Sequence, residues 1–212
     1  MSSRVELAVR LVSVFGPRPT RYIGMRCMAG PDATHHRTDQ WSSAAGLLAA
    51  IPAPAGREVV WAQALAFLDA GHRGGAHLVA RVLVVDRSRL VLLARHRRYR
   101  QWEPLGGHLD PNDASLDAAA ARERFEESGL AAHVHPAPVD ACLSSYRSRT
   151  VAEPVLHLDV QFVAWSTASA PALVASDELT GLEWFGVSDL PTLTPTIAEL
   201  VGRAGAAATL RR

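Results

Sequence analysis

Three glutamates, Glu123, Glu126 and Glu127, stand at i, i+3 and i+4 in an alanine-rich run from Leu116 to Ser128 that predicts a helix stopped by Gly129. That spacing places all three carboxylates on one helix face. Like charges so placed repel, and the C-terminal half of a helix disfavours anions further. A cation held among them relieves both costs, and hard oxygen donors suit Mg²⁺ or Mn²⁺, above all when substrate phosphates complete the shell. Taken alone, adjacent glutamates near a helix end are a solvated face. The context favours ligation: Gly106-Gly107-His108 upstream, Arg122 in the same helix, and Gly129 downstream.

The segment from Gly107 to Leu130 resembles the signature box of the Nudix hydrolase family. That motif is a glycine, five residues, a glutamate, seven residues, then Arg-Glu-hydrophobic-x-Glu-Glu-x-Gly-hydrophobic. Here Gly107 opens it, Asp113 stands where the first glutamate belongs, and Arg122, Glu123, Glu126, Glu127, Gly129 and Leu130 match position for position. Three departures stand out: eight residues separate Asp113 from Arg122, Asp113 is one methylene shorter than glutamate, and Arg124 occupies the hydrophobic slot, with Phe125 next to it. The insertion falls at the loop-to-helix junction and leaves the ligand spacing intact. Phe125 is expected to fill the core in place of Arg124. The likeness extends to the basic loop and tryptophan ahead of the box, and to His157-Leu158-Asp159 and Leu182-Glu183-Trp184-Phe185 after it, covering roughly residues 58–203.

The resemblance implies a metal-dependent hydrolase that cleaves the diphosphate of a nucleoside diphosphate linked to another moiety, ADP-ribose or a related nucleotide. It implies that Glu123, Glu126 and Glu127 hold Mg²⁺ or Mn²⁺, together with the backbone carbonyl of Gly107, while Arg122 orients Glu123 or a neighbouring acid. The general base stays open among Glu123, Asp177 and Glu178; for Glu178 a plain surface loop is the simpler reading. A non-catalytic nucleotide-sensing module of the same fold is the competing interpretation, favoured by Asp113, Arg124 and the insertion. The resemblance also leaves a homodimer open.

Arg95, His96, Arg97, Arg98 and Arg100 form a cationic run interleaved with Tyr99 and Trp102. Guanidinium forks grip phosphates and an aromatic ring stacks on a base; a solvated loop with Trp102 in the core is the alternative. Arg95 and Arg97 are the candidate phosphate contacts, Trp102 the candidate stacking ring, and His108, next to Gly107, a further substrate contact. His157 and Asp159 lie on the polar side of an alternating strand, which either lines the cleft or faces solvent. His133 and His135 share a strand face but lack the further ligands a zinc site needs.

These residues need a scaffold. Trp61, Leu65 and Leu68 recur at helical spacing after Glu58, with Gly71 as the stop. Leu78–Val85 and Leu90–Ala94 flank Asp86-Arg87-Ser88-Arg89 and read as a hairpin. Short strands are expected at 139–143, 155–164 and 182–187, and a closing helix at 196–203. Interleaved strands and helices give an α/β or α+β class with a mixed sheet; the resemblance sharpens this to an α/β/α sandwich.

The 212-residue chain is 48% hydrophobic and 20% charged, enough apolar mass for one sizeable core. No apolar run is long enough to span a bilayer. The net charge of +1 argues against a broad nucleic-acid surface. All 22 basic residues are arginines, which supply forks rather than point charges. Two cysteines cannot build a disulfide framework, so a reducing, cytoplasmic setting is expected. Residues 1–45, arginine-rich and with Arg10 interrupting Leu7–Phe15, read as a poorly ordered extension rather than a signal peptide. Met25 and Met28 are alternative starts, and the hydrolase domain is expected over 46–212.

Overall fold

The computed structural model describes residues 38–70, 76–97, 100–135, 137–146 and 155–209. Two helices lead, α1 (Thr38–Ala49) and α2 (Glu58–Asp69), followed by strands β1 (His77–Val85), β2 (Val91–His96), β3 (Trp102–Glu103) and β4 (Leu105–His108). The carboxylate helix is α3 (Leu116–Ser128). Strands β5 (His133–Val134), β6 (Asp140–Tyr146), β7 (Val155–Trp165) and β8 (Leu179–Phe185) come next, and helix α4 (Pro195–Thr209) closes the described chain. Gly71, the expected stop of α2, and Arg98 and Tyr99 of the basic run lie outside the described residues.

Eight strands form one mixed sheet with the path β3-β2-β1-β7-β5; β4 pairs with β1, β6 with β7 and β8 with β2. β1 and β7 run parallel over nine register pairs, His77↔His157 to Val85↔Trp165, while the other pairings are antiparallel. Apart from His77 and Arg81, the run His77–Val85 is apolar on both faces because both are covered. Ala80, Val82 and Val84 pack with residues of α1, α2 and α3, and Leu83 and Val85 pack with Ile197, Leu200, Val201 and Ala204 of α4. The sheet is thus sandwiched between helices, as expected. In the β1–β2 turn, Asp86 accepts the Leu90 N–H at 2.7 Å and Arg89 takes a positive φ of 68°.

Helix α1 runs across residues 45 and 46, and Trp41, Ala44 and Leu48, at i, i+3 and i+7, are buried at 3%, 1% and 0% exposure. The Trp61 indole N–H donates to the Leu48 carbonyl at 3.1 Å, tying α2 to the end of α1. Burying a side chain such as Leu48 stabilises by about 1.5–3 kcal/mol. The alanine-and-serine stretch carried too weak an apolar stripe to announce this helix. Residues 1–37, with Met25 and Met28, lie outside the described residues.

The polar side of β7 is not solvated either. His157, Asp159 and Gln161 are buried at 6%, 5% and 3% exposure. Asp159 accepts from Arg81 Nε at 3.0 Å and from the Ser144 hydroxyl at 3.0 Å, and Arg81 Nη1 reaches Glu103 at 2.8 Å. A strand in mid-sheet has both faces covered, so its polar residues are matched internally rather than by water. A second such group centres on Asp140, wholly buried, which accepts from Arg57 Nε at 3.0 Å just ahead of α2 and from Arg203 Nη2 of α4.

Candidate active site

Helix α3 begins and ends on local chemistry. Ser115 caps its start, its hydroxyl accepting the Ala118 N–H, and Gly129 ends it at φ 68°, its N–H returning to the Phe125 carbonyl. Despite the extra residue between Asp113 and Arg122, Arg122 to Ser128 lie in one uninterrupted helix, so the spacing from Arg122 to Gly129 is undisturbed.

Arg122 is the hub. Its Nε and Nη2 donate to the two oxygens of Asp113 at 3.0 and 2.8 Å, so the shorter acid still makes a two-point ion pair. Nη1 donates to Glu123 at 2.9 Å and to Glu126 at 3.0 Å, and Nη2 also reaches the His108 carbonyl at 3.1 Å. One guanidinium therefore joins the box loop, the end of β4 and two of the three glutamates. The hydrogen bonds to Asp113, more than any other influence, hold the Arg122 pKa above its ordinary value.

Glu127 points inward from the same helix. Its Oε2 accepts the Gly106 N–H at 2.8 Å, and its Oε1 lies 3.4 Å from His96 Nε2. Burial raises the Glu127 pKa to about 8 and, also by burial, lowers that of His96 to about 4. Burial raises Glu123 as well, although Arg122 pulls it down.

The two glycines before the site serve different needs. Gly106 has φ 140°, and a Cβ there would lie 2.3 Å from the Ala80 carbonyl oxygen of β1. At Gly107 a Cβ would fall 2.5 Å from Glu123 Oε1, in the space the carboxylate occupies. The donor set fits a hard divalent ion: three carboxylates on one helix, with Glu123 against an open glycine backbone. In the present arrangement those carboxylates are held by Arg122, Gly106 and His96.

Arg124 and Phe125 exchange their expected places. Phe125 is 58% exposed and Arg124 only 7%, with Arg124 Nε and Nη1 lacking a hydrogen-bond acceptor among the described residues. The i+1 step rotates Phe125 off the apolar face, so it cannot substitute for a residue at position 124. Burial lowers the Arg124 pKa.

The other candidates are dispersed. Arg95 is exposed, its Nε bonded to the Arg100 carbonyl at 3.3 Å. Arg97 is exposed at the end of β2, and its guanidinium holds the Asp177 carbonyl at 3.2 and 3.3 Å. Its backbone N–H donates to the Glu178 carbonyl at 2.9 Å. Asp177 and Glu178 are exposed just before β8, and the Glu178 charge is felt at both Glu127 and His96. Trp102 packs edge-on against Phe185, ring centroids 5.0 Å apart, and its ring covers Gly181. His108 turns to the opposite side of β4 from Gly107 and meets His77 and His157. His135 Nδ1 is engaged with Ala137, and His133 is exposed.

Gln40 belongs with the site although no motif contains it. From α1 its amide donates to the carbonyls of Asp110 and Asp113 at 2.9 and 3.0 Å, fixing the loop that carries Asp113. No spacing rule connects residues 70 apart, and the helix around Gln40 is itself too weakly marked in the sequence to supply a signal.

Residues 75–203 match the family model described as NUDIX domain. The chain belongs to the Nudix family. Its sequence is 28% identical over 110 residues to a Bacillus subtilis (strain 168) protein named "Putative 8-oxo-dGTP diphosphatase", covering 52% of this chain and 66%, just under two thirds, of that relative. Among solved structures, a NUDIX family hydrolase from Clostridium perfringens is similar at TM-score 0.51 and 21% identity, covering 62% of this chain and 97% of the other. The NUDIX domain of Shewanella oneidensis NrtR, crystallised with ADP ribose, is similar at TM-score 0.51 and 16% identity, covering 68% and 97%. At those identities the structural likeness establishes the Nudix fold.

Proposed function

We propose that this Nudix chain is a divalent-metal-dependent hydrolase that cleaves the diphosphate of a nucleoside diphosphate linked to another moiety. One observation carries the reading: Arg122 gathers Asp113, Glu123 and Glu126 beside the Gly106–Gly107 backbone of β4, with Glu127 anchored on the Gly106 amide. Glu123, Glu126 and Glu127 are the residues to hold Mg²⁺ or Mn²⁺, with the Gly107 carbonyl. Such an ion, when bound, supplies charge neutralisation at the phosphate oxygens and a water of lowered pKa.

The chain's own residues do the rest. Arg122 fixes the direction of Glu123 and Glu126 so that little reorganisation is needed when phosphate arrives. Glu123, with its pKa raised by burial, is the first candidate to take a proton from the attacking water. Glu178 is the second, because its charge reaches Glu127 from the loop before β8. Arg95 and Arg97 stand exposed at the end of β2, able to meet phosphate oxygens. Trp102, packed on Phe185, supports a scaffolding role over base stacking.

Of the three features favouring a non-catalytic sensor, two lose force: Asp113 makes its ion pair, and the insertion leaves the helix spacing intact. Only Arg124 remains. The relative's name adds an oxidised nucleoside triphosphate to the substrates worth testing, and the ADP-ribose complex adds that dinucleotide fragment. The deciding experiment is a panel of ADP-ribose, dinucleotide polyphosphates, NADH and 8-oxo-dGTP with Mg²⁺ or Mn²⁺, both products identified by mass. Turnover that disappears with chelator and in Glu126→Gln/Glu127→Gln supports the proposal. Tight binding without turnover or metal dependence selects the sensor instead.

A further inference from the structure

Three imidazoles meet on the side of β4 away from α3. His77 opens β1 and His157 lies on β7, and the two are direct register partners in the parallel pair. His108 ends β4 opposite Val79, two residues along β1 from His77 and therefore on the same face of that strand. The His77 and His157 rings stack with centroids 5.5 Å apart, and the His108 ring stands edge-on to both at 5.0 Å. One ligand nitrogen from each ring lies within 4.8 Å of the others. His77 and His157 are buried, at 7% and 6% exposure, and His108 is half-buried.

We propose that His77, His108 and His157 form a three-imidazole site for a borderline divalent transition metal, Zn²⁺ in the first instance, distinct from the carboxylate site on α3. Imidazole nitrogen suits Zn²⁺, Co²⁺ and Ni²⁺, whereas Mg²⁺ demands oxygen. Zinc–nitrogen bonds of about 2.0–2.1 Å in a tetrahedron put the nitrogens roughly 3.4 Å apart, so from within 4.8 Å they close by at most roughly 1.4 Å. Three strands of one ladder position the donors in advance. Gly107 and His108 are consecutive and face opposite ways, so the two donor sets stand back to back across β4: oxygens toward α3, nitrogens away from it. Three protein ligands leave a fourth position for water, and His108 is the ring of the three that reaches solvent.

The test uses the full-length, tag-free chain, stripped with chelator and titrated with Co²⁺. One equivalent should develop the intense visible bands of a four-coordinate ion. Zn²⁺ should displace them and a large excess of Mg²⁺ should not. Glu123→Gln/Glu126→Gln/Glu127→Gln should keep the bands. His77→Gln and His157→Gln should weaken Co²⁺ binding by at least about 100-fold, beyond the roughly 10–100-fold typical of losing an outer partner. Should those variants not fold, X-ray absorption of the Zn²⁺-loaded wild type decides: a shell with three imidazoles supports the site. An all-oxygen shell, absent bands in the wild type, or undiminished bands in folded His77→Gln overturns it.

Discussion

Asp113 and Arg122 close a two-point ion pair across the loop-to-helix junction, at 2.8 and 3.0 Å, and the nitrogen left over bridges Glu123 and Glu126. The fork is what allows one side chain to serve three acids, and a lysine ammonium cannot reproduce it. Arg122→Lys is therefore expected to lower kcat by about 10–100-fold, as for other groups that orient metal ligands. KM should move much less. Steady-state kinetics on the best panel substrate checks this; a variant changed only in KM contradicts the orienting role.

The adjacent glycines should separate by phenotype. Gly106→Ala drives a Cβ into the β1 backbone at a positive φ, and it should cost at least about 3 kcal/mol of stability. Gly107→Ala meets first the carboxylate end of the Glu123 side chain rather than backbone, so the fold should survive while activity drops. Thermal denaturation and turnover measured side by side distinguish the two.

Arg124→Leu should stabilise the protein. The wild-type guanidinium is buried with two nitrogens unmatched, and an apolar side chain of similar reach removes that desolvation cost. A gain of about 1–2 kcal/mol corresponds to a rise of roughly 2–8 °C in Tm for a domain of this size. A fall in Tm shows that Arg124 has a partner beyond the described residues.

The pH dependence of the metal-free chain should carry the mark of Glu127. Its folded pKa of about 8 exceeds the ordinary 4.5, so the folded state holds a proton that the unfolded state has released. The associated stability is present below about pH 4.5 and is lost as pH rises through 8. His96, lowered to about 4, works oppositely, adding stability between pH 4 and 6.5. Between pH 6.5 and 8 only the Glu127 slope remains of the two. Tm of the metal-free wild type should fall across that interval, and Glu127→Gln should flatten the fall.

Gln40→Ala should loosen the Asp113 loop from a distance. Losing two hydrogen bonds to backbone carbonyls costs about 1–3 kcal/mol. Activity should fall with it. Unchanged kinetics would show that the loop holds its shape without α1.

How far the residues announce this arrangement depends on whether the signal is local. Leu116–Ser128 matches its helix to the residue because a capping serine and a stopping glycine bracket it. Strand ends are looser: β6 continues to Tyr146, β8 starts at Leu179 and α4 runs to Thr209, set by pairing partners and packing elsewhere in the chain. The box glutamates are legible because their relation is a helix period. His77 and His157 are not, because 80 positions separate them and only the parallel β1–β7 register makes them neighbours. Alternation on β7 marks its polar side correctly but is silent on whether water or Arg81 lies opposite.

Asp140 has an implication for how the molecule is made. Its carboxylate is out of reach of solvent and sits between Arg57 and Arg203, guanidiniums supplied from early and late in translation. Until α4 docks, that anion has one of its two guanidinium partners and a second carboxylate oxygen left unmatched, and sealing it away is unfavourable. Closure of this end of the protein thus waits for α4 to dock, however early the sheet begins to assemble.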